Sequence, residues 1–211
     1  MKQLFILLPV LFIFSSNMQA QTANNITGIY YLQGVMETGS GIKLNADSSF
    51  EFFYTYGALD RYGTGKWSIE NNTIALNSKP YPGKDFKLIG STNENNNFTT
   101  IRIEEKNTAL PRFVYCLIKT KKGDSLLQAD SHGYIALTDK SADTVHLLFE
   151  LCPEKISTFT INTAKYDVFT FNFEQWIFEV FFKDFKLQFV KDHLEGRHPL
   201  LNDKIYIYSK E

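Results

Sequence analysis

The chain of 211 residues has no surplus of either charge: 22 Lys and Arg face 23 Asp and Glu, a formal net charge of −1. Without a cationic stripe, neither nucleic acid nor an anionic membrane surface has its electrostatic footprint here. Glycine-rich phosphate cradles are missing, because Gly34, Gly39, Gly41 and Gly57 fit neither the dinucleotide nor the P-loop spacing. The four histidines, His132, His146, His193 and His198, include no H-x-H or H-E-x-x-H pair, and no histidine stands at ligand spacing from a cysteine. That pattern speaks against a zinc or copper site, and no metal or other cofactor is expected. The apolar run Leu4 to Phe14 is broken only by Pro9. As a helix it would reach about 16 Å, half of a bilayer core of ~30 Å, too short for an anchor.

What is present is apolar and aromatic. Hydrophobic residues make up 44% and charged residues 21%, the balance of a globular chain and not of a disordered one. Phe contributes 19 residues, Tyr 11 and Trp 2, an excess that favours strands and a bulky core. Lys2, the apolar run and the polar stretch Ser15 to Ala20 read as a signal peptide over residues 1–20, cut near Ala20. The mature protein is therefore expected in the periplasm or outside the cell, with no transmembrane segment. Two cysteines, Cys116 and Cys152, enter that oxidising compartment. They form either a disulfide closing a loop of about 37 residues or two buried thiols, and spacing alone leaves both open.

Strand patterns fill the mature chain. Gly28 to Leu32, Gly41 to Leu44, Ser49 to Tyr56, Gly65 to Ile69 and Thr73 to Leu76 are separated by the turn-forming stretches Asn45 to Ser48 and Glu70 to Asn72. Such short connections predict an antiparallel meander. Asp60-Arg61-Tyr62-Gly63 is expected as a polar loop within it. Glu105 to Pro111 has the composition of a linker, which predicts one domain over 24–106 and a second over 110–211. In the second half the large apolar residues alternate through Val168, Phe169, Phe171 and Phe173, then Trp176, Phe178, Val180 and Phe182, then Phe185, Leu187 and Phe189. Phe178, Phe181, Phe182 and Phe185 also satisfy a helical period, so a short helix over 177–188 is the alternative there. The fold class expected is all-β: an antiparallel meander or small barrel followed by a β-sandwich.

The residues Gly28-Ile29-Tyr30, Ile42 to Asp47, Phe50, Gly63 to Trp67 and Asn72 to Leu76 resemble the strand grammar of lipocalin-like barrels in bacterial envelope proteins. The residues Val114 to Lys119, Lys122-Gly123-Asp124 and Gly133 to Asp139 are similar to the carboxypeptidase-regulatory or transthyretin-like sandwich. These resemblances imply a barrel followed by a sandwich, and neither supplies a catalytic residue.

The candidate ligand site is the loop end carrying Asp60, Arg61 and Tyr62 with Tyr54 and Tyr56, where charged groups hold a polar ligand and tyrosines stack on it, as in carbohydrate binders. Asp130-Ser131-His132 contains the residue types of a nucleophilic triad, but consecutive residues point apart, and a turn accounts for them better. The function expected is an exported, non-catalytic module binding a small molecule or an envelope protein. The alternatives are a periplasmic hydrolase using loop carboxylates, with His132, and a structural envelope adaptor.

Overall fold

The computed structural model describes residues 26–120, 123–138 and 142–211. The expected signal peptide, 1–20, and Lys122 and Asp139 of the sandwich-like stretches lie outside the described residues. The fold is all-β. In chain order the first strands are β1 (Gly28–Leu32), β2 (Thr38–Leu44), β3 (Ser49–Tyr56), β4 (Leu59–Glu70), β5 (Thr73–Asn77), β6 (Phe86–Thr92), β7 (Thr99–Glu104) and β8 (Val114–Thr120). The others are β9 (Gly123–Gln128), β10 (Tyr134–Leu137), β11 (Thr144–Phe149), β12 (Ile156–Thr160), β13 (Val168–Phe173), β14 (Phe185–Val190), β15 (His193–Gly196) and β16 (Tyr206–Lys210).

The described residues form two compact units, one of 26–79 together with 180–211, the other within 80–179. The first is a closed barrel in the order β1-β16-β15-β14-β5-β4-β3-β2, all neighbours antiparallel. Its sequence alternates because each strand has one face inside. Phe50, Phe52 and Tyr54 of β3 are buried and stand opposite Gly65, Gly63 and Arg61 of β4. Tyr30, Ile42, Leu44, Trp67, Ile74, Leu76, Leu187, Leu194 and Tyr208 complete the filling, so side chains pack the lumen as in small barrels. Outward positions of β3 and β4 carry Glu51, Thr55, Asp60, Thr64 and Lys66 beside the rings of Phe53 and Tyr62. Among the described residues no helix is long and apolar enough to cross a membrane.

Turn chemistry fixes the barrel's register. Asn71 and Asn72, with φ of 47° and 63°, supply the two left-handed residues that a tight hairpin between β4 and β5 requires. Between β2 and β3, Asp47 Oδ1 accepts the Ser49 amide at 2.9 Å, and the Trp67 indole N–H donates to the Asn45 carbonyl at 3.0 Å. Gly63 and Gly65 make room inside: a Cβ at Gly63 would stand 2.7 Å from the Phe182 ring, and one at Gly65 2.1 Å from the Asn77 carbonyl oxygen.

The second unit has two four-stranded sheets, β10-β7-β13-β6 and β12-β11-β8-β9. The β7 and β13 pair is parallel and the other pairs are antiparallel. Phe86, Ile101, Ile103, Ile135, Phe169 and Phe171 of one sheet share a buried cluster with Val114, Cys116, Ile118, Val145, Leu147 and Phe149 of the other. That shared core makes the unit a sandwich.

Barrel and sandwich were both expected, but their allotment of the chain differs from the division at 24–106 and 110–211. Glu105 to Pro111 lies inside the sandwich, where the Leu110 amide closes a turn on the Asn107 carbonyl and Pro111–Phe113 forms one 3₁₀ turn. Strands β6 and β7 pair with β13, and β14 to β16 close the barrel, so the sandwich is inserted between β5 and β14. Residues 177–188 are neither one strand nor a helix: a turn over 175–178 is followed by an isolated bridge at Glu179 and a bend at Lys183-Asp184, where Asp184 has φ of 47°, before β14. Cys116 and Cys152 are buried and not bridged. Their strands are neighbours, yet Cys116 faces Leu147, and β11 ends at Phe149 before Cys152 is reached.

Candidate functional site

Strand geometry separates the five residues expected to form one loop-end site. Asp60, Arg61 and Tyr62 lie within β4 and not in a loop, and the turn between β3 and β4 is at Gly57-Ala58. Side chains on a strand alternate, so Arg61 points into the barrel, 3% exposed, while Asp60 and Tyr62 point to solvent. Tyr54 stands directly across from Arg61 and is likewise buried. Tyr56 sits at the exposed end of β3. The structure thus brings Tyr54 and Arg61 together inside, with Asp60 and Tyr62 on the opposite face.

Tyr54 also borders a buried polar cluster within the barrel that the sequence did not announce. His198 is buried among the rings of Phe52, Tyr54, Tyr206 and Tyr208, lying parallel to Tyr208 at an interplanar angle of 8°. Its Nδ1 accepts the Leu200 amide at 3.1 Å, and its Nε2 is 3.0 Å from Ser40 Oγ. Ser40 Oγ in turn donates to the Phe53 carbonyl at 2.7 Å. Burial pulls the imidazole down to about 4, so the ring is neutral at pH 7. Burial also pushes the Tyr54 phenol up, an effect that Tyr56 reinforces and the Arg61 charge opposes. Ser40 shares the inward phase of Ile42 and Leu44, which was a legible signal. His198 lies 158 residues away, and no local pattern marks it.

The outward face carries an aromatic row. Phe53 of β3 is paired with Tyr62 of β4, and Gly41 of β2 lies between Phe53 and Tyr31 of β1. A Cβ at Gly41 would come within 2.7 Å of the Phe53 ring, so the ring occupies the space over the glycine. There it meets Tyr31 edge to face, with centroids 5.8 Å apart at 67°. Tyr31 is 38% and Tyr62 47% exposed, so the row presents ring surface to solvent. Neighbouring positions hold polar groups, including the Lys43 to Glu51 ion pair at 2.9 Å and Asp60.

The remaining sequence candidates resolve into structure. The Asp130 carboxylate accepts the backbone amides of His132 at 2.8 Å and Tyr134 at 2.9 Å, the turn geometry expected of it. These bonds hold its acidity on the strong side of the usual carboxylate range. No group of three metal-ligating side chains occurs among the described residues. On the sandwich a groove of about 410 Å³ is lined by Phe86, Phe159, Trp176 and Lys84, with the Trp176 indole donating to the Lys84 carbonyl at 2.8 Å.

No protein-family model, curated protein or solved structure matches the chain. The site has to be read from its own chemistry.

Proposed function

We propose that the protein is an exported, non-catalytic binding module of the cell envelope that takes carbohydrate on the outer face of its barrel. The observation that carries this reading is the row Tyr31, Phe53 and Tyr62 on the outer face of β1 to β4, with Tyr31 and Tyr62 exposed, Phe53 half-buried between them, and hydrogen-bonding side chains at its border. Aromatic rings present a flat apolar surface to the C–H face of a sugar, while flanking carboxylates and amines address its hydroxyls. Tyr62 and Asp60 belong to this face; Arg61, Tyr54 and the loop end do not. The lipocalin-like and transthyretin-like resemblances agree with this reading at the level of architecture and supply no ligand.

A hydrolytic reading of the buried Ser40 and His198 pair, distinct from the loop carboxylates and His132, finds little support. The Leu200 amide occupies Nδ1, which leaves the ring proton on Nε2, the atom facing the hydroxyl. A general base needs a lone pair at that position. The envelope-partner reading differs from carbohydrate binding in what the row covers.

The test is binding of the purified mature protein to a panel of soluble polysaccharides by titration calorimetry, with Tyr31→Ser and Tyr62→Ser alongside. Carbohydrate binding predicts at least a tenfold loss of affinity in either variant with an unchanged melting temperature. A panel without any binder, together with a stoichiometric protein partner lost in the same variants, would replace it with the partner reading. Sequencing of the amino terminus from the periplasmic fraction, expected to begin at Gln21, tests export.

A further inference from the structure

A close charge pair in the sandwich, Lys155 and the buried Asp85, is held in a geometry that suits reaction. Asp85, 2% exposed and just before β6, has its backbone fixed on both sides: its amide donates to Ser157 Oγ at 2.7 Å, and its carbonyl accepts the Glu174 amide at 2.9 Å. Carboxylate Oδ1 accepts the Tyr81 hydroxyl at 3.0 Å. Oδ2 is buried and has no hydrogen-bond partner, although Lys155 Nζ lies 3.2 Å from it. Nζ also donates to two backbone carbonyls, Ile177 at 3.3 Å and Glu179 at 3.2 Å. The amine is thus held against the carboxyl group by its backbone anchors, with the Tyr81 hydroxyl on the other carboxylate oxygen.

We propose that Lys155 and Asp85 condense into an intramolecular isopeptide bond, Nζ to Cγ, once the sandwich has folded. The step begins with transfer of one ammonium proton to Oδ2, which replaces two buried charges by a neutral amine and a neutral acid. Burial and the nearby Glu154 charge hold the Asp85 carboxyl above its usual range, in the direction this transfer needs. The Nζ lone pair then forms a bond to Cγ while the Tyr81 hydroxyl polarises Oδ1. Oδ2 leaves with its proton and one proton from Nζ as a single water. Oδ1 becomes the amide oxygen, still bonded to Tyr81, and the remaining N–H stays on one of the two carbonyls. No oxidant or other reactant is consumed. Held reactants of this kind reach effective molarities of roughly 10⁵ to 10⁸ M, which makes condensation accessible without an external enzyme.

The bond would join the start of the sandwich at Asp85 to Lys155, whose amine also touches the carbonyls of the exit segment. The experiment is mass spectrometry of the native full-length product after denaturation and trypsin. The expected result is a branched peptide in which residues 85–87 are attached through Lys155, lighter than the two peptides together by one water, with cleavage after Lys155 blocked. Recovery of only linear peptides carrying unmodified Asp85 and Lys155 would overturn the proposal. Lys155→Arg keeps a positive charge and is expected to show no mass deficit; a deficit of one water that persists in this variant would overturn it as well.

Discussion

Ser40 Oγ and His198 Nε2 meet at 3.0 Å inside the barrel, in the reverse polarity of a nucleophile and its base. The Leu200 amide fixes the acceptor on Nδ1, Nε2–H donates to Ser40, and Ser40 donates to the Phe53 carbonyl. Each polar group of this chain is satisfied in one direction, which makes the imidazole a cross-brace between the segment after β15 and the strands β2 and β3. The arrangement holds only while the ring is neutral.

Stability should therefore fall in mild acid. The unfolded chain titrates His198 near its ordinary value of 6.5, and the folded chain near about 4. Between those values the unfolded state binds the extra proton, so stability is full above about pH 6.5 and declines as the pH drops toward 4. The loss from this group is at most about 3 kcal/mol. Urea denaturation across that range reads it, and His198→Asn should be less stable at pH 7 yet flatter between pH 6.5 and 4. An equally steep profile in the variant would assign the acid sensitivity elsewhere.

Adjacent residues of β4 should behave oppositely. Arg61→Ala removes a buried side chain packed across from Tyr54 and should cost about 2 kcal/mol or more in stability. Tyr62→Ala touches solvent and should stay within about 0.5 kcal/mol of the parent while weakening ligand binding. A shared loss of melting temperature in both variants would show that the alternation along β4 does not govern their roles.

That alternation marks how far the sequence could be read. Phe50, Phe52 and Tyr54 announce a strand with one buried face, and Asn71-Asn72 a tight turn, because period and turn chemistry are local. Placing Asp60 to Gly63 in a loop followed from the polar and glycine residues there. In the barrel the glycines serve instead to admit Phe182 and Phe50, which the sequence of β4 alone does not contain. The division near residue 106 failed for a related reason. A linker composition is local, whereas the pairing of β7 with β13 and of β5 with β14 joins residues far apart in the chain. His198 and the Lys155 to Asp85 pair were illegible on the same grounds, since each acquires its meaning only from partners brought by the fold.

Filling the glycine spaces should unsettle the barrel. A Cβ at Gly65 would stand 2.1 Å from the Asn77 carbonyl oxygen and 2.7 Å from the Phe50 ring, and the first neighbour is backbone. Gly65→Ala is expected to cost about 3 kcal/mol, with β4 forced away from β5. Gly57→Ala meets no atom within 4 Å, so its cost is the strain of φ +57° alone, about 1 kcal/mol. Thermal unfolding of the two variants orders them, and a Gly65 variant as stable as the parent would contradict the close packing.

The two cysteines should react as thiols once the protein is unfolded. Both are buried, and burial pushes the Cys116 thiol up to about 12, which suppresses the reactive thiolate. A maleimide added without reductant should leave Cys116 unmodified in the native protein and label both residues in denaturant. Absence of labelling at both positions after denaturation would reveal a disulfide.

The barrel should also fold without its insertion. Ser78 and Phe182 flank the excursion, and they are held together by the Ser78 amide on the Phe182 carbonyl at 2.9 Å and by the Phe182 amide on Ser78 Oγ at 3.2 Å. The Asp184 amide adds a bond to Asn77 Oδ1 at 2.8 Å. The chain therefore leaves and re-enters the barrel at one place, so a few Gly and Ser residues can replace 80–179 with a small loop-closure cost, about 0.6 kcal/mol per doubling of length. All eight strands of the closed ring and the cluster from Tyr30 to Tyr208 stay in the shortened chain. It is expected to give a β-type circular dichroism spectrum and one cooperative unfolding transition, and to keep the carbohydrate affinity of the parent if the row of Tyr31, Phe53 and Tyr62 is the binding face. A folded barrel that has lost binding would move the ligand site to the sandwich, where the groove at Trp176 and Phe159 becomes the surface to test.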